Sequence, residues 1–445
     1  MKKFFLFSLI FFSYKLFGQL NDNNWLFNRL NTKTFQVDFR TSPPSVTVDV
    51  KMPLAFTKAS FSDAEGNILF YTNGIQINNK SDEMMENGDS LNAGYWANVS
   101  SSVGYPVPKG AFFLLKPLDS TMCFLFHMYT ETISGAHFLS KFYYSLIDMN
   151  ANNGLGSVVE KNIPLLNGDA QLNFNHAVAV RHGNGRDWWI IVPHRMQPQY
   201  FRFLLTPEGI YGPEVQEVGF KEPTLDPNQY IGTSLFSPDG TKYADYDFLT
   251  GIQIFDFNRC TGLLSNPVKI DYQWDPNWNN GESGIAFSSS GRFLYMTRKK
   301  NGIELVQYDL FTTDIPASEV VIYSCNSFNN YLCSMTHPQL GPDGEIYIGA
   351  VIDTVAFHII HQPDSLGQAC EFDYGGFVFP LKYPGTLMPY FPNYRLYDLP
   401  GSPCDTLGIG PVAVEEEGRE ESHFHIYPNP AGGEVHLSLP APLPT

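Results

Sequence analysis

Along most of the chain, apolar and polar residues alternate in runs of about four to eight, each closed by Gly, Pro, Asn, Asp or Ser, and this period of two predicts β-strands joined by tight turns. The central third repeats most closely. Phe236-Ser237-Pro238-Asp239-Gly240 leads into Thr241-Lys242-Tyr243-Ala244, Phe287-Ser288-Ser289-Ser290-Gly291 into Arg292-Phe293-Leu294-Tyr295, and Leu340-Gly341-Pro342-Asp343-Gly344 into Glu345-Ile346-Tyr347-Ile348. In such a unit proline presets the turn φ, Asp bonds back to the chain, and glycine supplies the positive φ at the turn's end. Gly240, Gly291 and Gly344 stand 51 and 53 residues apart, a period that fits one four-stranded sheet per unit.

Weaker copies lie upstream. Phe61-Ser62-Asp63-Ala64-Glu65-Gly66 leads into Ile68 to Tyr71, Phe112 to Leu115 faces Cys123 to Phe126 across Asp119, and Arg181-His182-Gly183-Asn184-Gly185 leads into Trp188 to Ile191. Six hairpins therefore begin near 61, 112, 177, 235, 286 and 338, while Trp25 to Val50 reads as blade strands lacking an opening partner. The segment Pro389-Tyr390-Phe391-Pro392-Asn393-Tyr394 is the candidate to return and supply it, because a ring closed by both chain ends leaves no exposed sheet edge. The expected fold class is all-β, a β-propeller of seven four-stranded blades over residues 19–400. Gly251 to Phe257 and Ile303 to Asp309 read as matching third strands one blade apart, and from Asn23 to Leu399 the pattern resembles the propellers of many exported Bacteroidetes proteins.

Both chain ends read as addresses. Lys2 and Lys3 precede an apolar run from Phe4 to Phe12 broken only by Ser8, the order of a secretory signal peptide, with residues 1–18 removed between Gly18 and Gln19. That run is too short to span a bilayer, and no other stretch reaches the length a membrane helix needs, so no transmembrane segment is expected. Residues 401–424, with Glu415-Glu416-Glu417 and Glu420-Glu421, read as an acidic linker. In residues 425–445, Tyr427-Pro428-Asn429-Pro430 followed by the alternating Glu434 to Leu439 resembles the start of the β-sandwich sorting domain (type A) of type IX secretion cargo. The resemblance implies Sec export to the periplasm, the type IX machinery as a partner, and a secreted or outer cell-surface location. The chain reaches Thr445 before the later strands of such a domain, so only its N-terminal part is expected here.

Composition narrows the picture further. The chain is 15% aromatic and 16% charged, against a usual charged share of about 25%, which favours packed sheets over solvent-facing helices. A net charge of −17 leaves no basic footprint for nucleic acid. Six cysteines in an exported chain point to disulfides, with none at C-x-x-C spacing. Cys325 with Cys333, and Cys370 with Cys404, are the two pairings considered, the second to pin the tail to the body; Cys123 and Cys260 read as buried small residues.

Candidate chemistry is sparse. Residues 81–108 are longer than a simple loop, and Asn87, Asp89, Asn92, Tyr95, Trp96 and Asn98 mix aromatic and amide groups suited to stacking on sugars; an inward-tucked Trp96 in an ordinary blade connection is the alternative. In Arg181 to Trp189, His182 and Asp187 read more readily as a staple across a turn than as a base and its orienting carboxylate. His127, His137, His176, His194, His337, His358 and His361 are scattered over several blades without a local metal spacing. Asp275 to Glu282 approaches a calcium loop, but its glycine falls late and Ala286 stands where a closing Glu belongs, so no cofactor is predicted. No nucleophile elbow or P-loop occurs. The expected function is a secreted or cell-surface binding module for a glycan or a surface protein. The alternatives are a propeller hydrolase or lyase with convergent His and Asp residues, and a structural scaffold of a surface assembly.

Overall fold

The computed structural model describes residues 20–407 apart from 29–33, 134–135, 168–171, 173–176, 196, 221–231, 248–250, 272–282, 301, 326–334, 351–355 and 382–386, together with 425–427 and 436–438. Seven antiparallel sheets follow one another along the chain as the blades of a β-propeller. Blade I holds β1 (Asn24–Phe27), β2 (Thr34–Asp38) and β3 (Ser45–Val50), and blade II holds β4 (Ala59–Ser62), β5 (Ile68–Thr72) and β6 (Ile77–Asn79). Blade III has β7 (Ala111–Lys116), β8 (Asp119–Ile133), β9 (Ala136–Asp148) and β10 (Ser157–Leu166); blade IV has β11 (Val178–Arg181), β12 (Trp188–Pro193), β13 (Gln199–Thr206) and β14 (Gly209–Glu217). Blade V has β15 (Gly232–Phe236), β16 (Lys242–Asp247), β17 (Gly251–Asn258) and β18 (Leu263–Ile270); blade VI has β19 (Gly284–Phe287), β20 (Phe293–Lys299), β21 (Ile303–Asp309) and β22 (Val320–Cys325). Blade VII has β23 (Pro338–Leu340), β24 (Ile346–Ile348), β25 (Ala356–Ile360) and β26 (Phe372–Val378).

The six expected hairpins are the pairs β4–β5, β7–β8, β11–β12, β15–β16, β19–β20 and β23–β24. Their turns share one face of the ring, the turn face; the inner strands begin at the opposite, entry face. In the Ser-Pro-Asp-Gly turn, Ser237 Oγ donates to Asp239 Oδ1 at 2.5 Å, the Thr241 N–H donates to the same oxygen, and Gly240 takes φ 71°. Where Ser289-Ser290 replaces Pro-Asp, the missing carboxylate comes from another blade: the Ser290 N–H and hydroxyl donate to Asp364 Oδ1 at 2.9 and 2.6 Å.

The first blade differs from the others in how it is completed. Trp25 of β1 meets Tyr347 of β24 edge-on, and Leu26 packs with Ile68 and Tyr71 of β5, so β1 sits level with second strands and the inner place is left to a returning segment. Residues 388–392 take that place: Met388 joins the cluster of Trp25, Phe27 and Phe379, and Phe391 stacks on Trp25 at 6.4 Å. The segment does not join the ladder, and Pro389 and Pro392 have no N–H to give it. In blade II the outer edge is irregular. The Asn79 N–H donates to Glu83 and the Ile77 N–H to Gly88, which lays 83–88 back along β6.

Cys260 bonds Cys404 across 144 residues. The tail is thus pinned to the body as expected but by another cysteine: Cys370 is buried and free, because it lies inside the blade VI–VII core with Met335 and Ile360. Cys123 is buried and free. Cys325 is disulfide-bonded, and its expected partner Cys333 lies outside the described residues. Beyond the propeller, β27 (His425–Tyr427) and β28 (His436–Ser438) form an antiparallel hairpin. Gly18, Gln19, Pro428, Asn429, Pro430 and the calcium-like stretch 275–282 lie outside the described residues. No described helix is long and apolar enough to cross a membrane.

Candidate functional site

The segment 388–404 forms a strap that enters the ring beside blade I and leaves across the turn face. Its aromatic residues cross the channel to the far blades. Tyr390 packs edge-on against Phe112, and its hydroxyl accepts the Ala179 N–H at 2.8 Å; the Tyr394 hydroxyl donates to the Phe113 carbonyl at 2.7 Å. Both rings are buried, and burial raises both phenols well above their ordinary value, so they remain neutral donors at any physiological pH.

Polar bonds fix the rest of the strap to blades I, IV and V. Asn393 Nδ2 donates to the Pro238 carbonyl at 2.7 Å, and Arg395 clamps Asp22 with two bonds of 2.6 Å. Burial pushes the Asp22 carboxyl up, and the Arg395 charge works against that push. Arg259 donates to the Tyr397 and Arg181 carbonyls, its guanidinium lowered to about 10 by burial. The Leu399 N–H donates to Gly183 at 2.8 Å just before the disulfide. At Gly185, with φ +72°, a Cβ would lie 2.7 Å from the Asp398 nitrogen, so the turn of blade IV accepts the strap only with glycine there.

Where the strap meets the turns of blades IV to VII it leaves a cavity of ≈ 310 Å³. Trp25, Phe391, Asn393, Arg395, Gln339 and Ser289 are among its walls. Two wall groups are buried and lack partners, the Trp25 indole Nε1 and the Gln339 side-chain Oε1. A donor and an acceptor left open beside aromatic surface is the arrangement a hydroxyl-bearing ring satisfies, since each buried polar atom without a partner costs about 1–3 kcal/mol.

The long loop singled out from sequence lies elsewhere, between β6 and β7. Asn92 is buried, gives Nδ2 to the Gly74 carbonyl at 3.1 Å, and sets Oδ1 2.9 Å from His127 Nδ1; His127 is lowered to about 3 by burial and stays neutral. Asn87 Nδ2 donates to Val158 at 2.6 Å, and Asp89 pairs with Lys161 at 3.1 Å, whose ammonium lowers the carboxyl below its ordinary value. Asn87 and Asp89 tie the loop to β10, and Asn92 ties it to β8. Tyr95, Trp96 and Asn98 sit on the one-turn helix α1 (Tyr95–Val99), with Tyr95 68% exposed and meeting the half-buried Trp96 edge-on at 5.1 Å. Asn98 is exposed, and its N–H donates to Gly94.

The histidine staple is built with different partners from those expected. The His182 ring accepts the Asn184 N–H at Nδ1 and sits 3.1 Å from the Cys260 carbonyl at Nε2, while Asp187 holds Asn184 and Arg186. His361 faces Glu345 at 2.7 Å, and His358 accepts the Gly375 N–H. Among the described residues no three His, Cys, Asp or Glu side chains converge as metal ligands. The pocket residues were missed because they come from distant positions; the one signal was the aromatic and proline-rich 389–394 itself.

The fold and the pocket define a β-propeller whose tail closes one mouth of its channel. No protein-family profile and no curated protein matches the chain. Solved structures similar to it include the periplasmic gluconolactonase of Pseudomonas aeruginosa, at 12% identity over 82% of this chain and 97% of that one with a TM-score of 0.48. A 6-phosphogluconolactonase-like protein of Bacteroides fragilis aligns at 12% identity over 83% of this chain and 98% of its own, TM-score 0.45. The Swd1 propeller domain of Myceliophthora thermophila aligns at 11% over 75% and 91%, TM-score 0.40. At these values the likeness is one of overall propeller shape, and the fold itself rests on the strand order above.

Proposed function

We propose that this chain is an exported β-propeller binding module that takes a neutral, hydroxyl-rich ring, of the kind found in a glycan, into the turn-face pocket. The observation that carries the reading is a cavity walled by Trp25, Phe391 and Gln339, two of whose wall residues each hold a buried polar atom without a partner, Trp25 Nε1 and Gln339 Oε1. Export is supported by the signal-like residues 1–18, by Tyr427-Pro428-Asn429-Pro430 as an address for the type IX machinery, and by disulfides at Cys260, Cys404 and Cys325, which persist in oxidising compartments.

The experiment is a glycan array with the full chain, wild type and Ser289→Trp, in calcium and in chelator. Ser289 is an exposed wall residue, so the indole fills the pocket without entering the core. Selective binding by wild type, weakened by about tenfold or more in the variant, is the expected result. A blank array, or binding indifferent to the substitution, would remove glycan recognition at this pocket. Loss of binding in chelator would add a metal requirement.

A further inference from the structure

At the entry face the inner strands of blades II, III, VI and VII begin with polar side chains that the fold has buried. Lys58 stands directly before β4, Lys109 two residues before β7, Ser283 before β19 and His337 before β23. Their relative exposures are 1% for Lys58, 4% for Lys109, 1% for Ser283 and 2% for His337. The His337 ring lies against Gly284, where an added Cβ would come within 3.0 Å of Cδ2.

Among the described residues these groups are left open. Lys109 Nζ, both His337 nitrogens and Ser283 Oγ have no hydrogen-bond partner. Lys58 Nζ donates to the Leu387 carbonyl at 2.9 Å, and no described carboxylate pairs with either ammonium. Burial alone lowers both lysines to about 7, and the neighbouring lysine charges join burial in lowering His337 to about 3. The groups therefore sense one another electrostatically.

An unpaired ammonium inside a protein is costly, and two beside a histidine more so, because like charges add to the desolvation of each. A chain of net charge −17 has acidic side chains enough to neutralise such a site, yet the described residues place none there. Buried, unsatisfied cations at the starts of inner strands on one face are what a bound anion would complete, with Lys58 and Lys109 supplying charge and Ser283 and His337 supplying hydrogen bonds.

We propose that the entry-face mouth is an anion site in which Lys58, Lys109, His337 and Ser283 receive a carboxylate or phosphate group of a small molecule. None of these four residues lines the turn-face pocket.

The test is a thermal melt of the full chain at fixed ionic strength and pH 7, titrated with sodium phosphate in one arm and sodium glucuronate in the other, against sodium chloride. Wild type is expected to show a saturable rise in melting temperature on the order of 2–5 °C with at least one of the two anions, and the responding arm identifies phosphate or carboxylate as the ligand group. Lys109→Met is expected to abolish that rise and, without anion, to melt at or above wild type, because it removes a buried charge while keeping the side-chain volume. Lys58→Met, read the same way, serves if the first variant fails to fold. The proposal fails if neither anion gives a saturable rise, if the rise survives both lysine substitutions, or if ligand-free Lys109→Met and Lys58→Met both melt well below wild type, which would make the lysines structural.

Discussion

The two ends of the channel are built on opposite principles. At the turn face the strap brings Tyr390 and Tyr394 inward, buries both rings and gives each hydroxyl a backbone partner. At the entry face the chain buries lysines and a histidine and leaves most of their nitrogens open. Packing and the bonded tyrosine hydroxyls make the first end a closure, apart from Trp25 Nε1 and Gln339 Oε1, which stay open. The second is an arrangement that costs stability, which a fold retains most readily where a ligand compensates it.

Substitutions should separate these roles by size. Tyr394→Ala removes an aromatic plug and opens a cavity, and is expected to cost about 3–5 kcal/mol in denaturant unfolding, the largest effect of the set. Cys404→Ser reopens a loop of 144 residues and should cost roughly 2–5 kcal/mol under oxidising conditions, with no further loss when reductant is added if the Cys325 bond contributes little. Asn92→Ala leaves His127 Nδ1 and the Gly74 carbonyl without partners and should cost about 1–3 kcal/mol. Tyr95→Ala, on the same loop but exposed, should change stability by less than about 0.5 kcal/mol; a larger loss would show that α1 is packed rather than presented.

The pH dependence sharpens the contrast. Lys58 and Lys109 sit near 7 when folded and near 10.5 when unfolded, so between those values the unfolded chain binds more protons. Ligand-free stability should therefore rise with pH across that window, and the rise should shrink in Lys109→Met. The satisfied tyrosines at the other end impose the reverse trend only above their ordinary value of 10.0, where the unfolded chain loses phenol protons that the fold keeps.

The blades were legible because their cause is local. Alternation marks the strands, and Pro238-Asp239-Gly240 and Pro342-Asp343-Gly344 mark the turns, so six hairpins and the incomplete first blade followed from spacing alone. The return of residues 389–394 was also readable, from the need of a ring to close without an exposed sheet edge. That the segment stays out of the ladder was not read from the sequence, which had it supply the missing strand; Pro389 and Pro392, which have no N–H to give, are the physical reason for the difference. The disulfide was misassigned because Cys260 and Cys404 become neighbours only after the strap crosses blade IV. Both candidate sites have the same origin: Gln339 and Trp25 line one cavity, and the Lys109 and Lys58 charges act on His337, from positions far apart in the chain, and no local spacing carries that information.

The strap underlies the pocket, the closed mouth and the Lys58 contact, so its latch is the place to look first. Peptide mapping of the oxidised, purified chain without reduction measures it directly. A linked peptide joining Cys260 to Cys404, with Cys123 and Cys370 both recovered as free thiols, is the expected result. Recovery of Cys404 as a free thiol, or linked to Cys370, would mean that the strap does not cross the turn face as described, and the turn-face pocket would go with it.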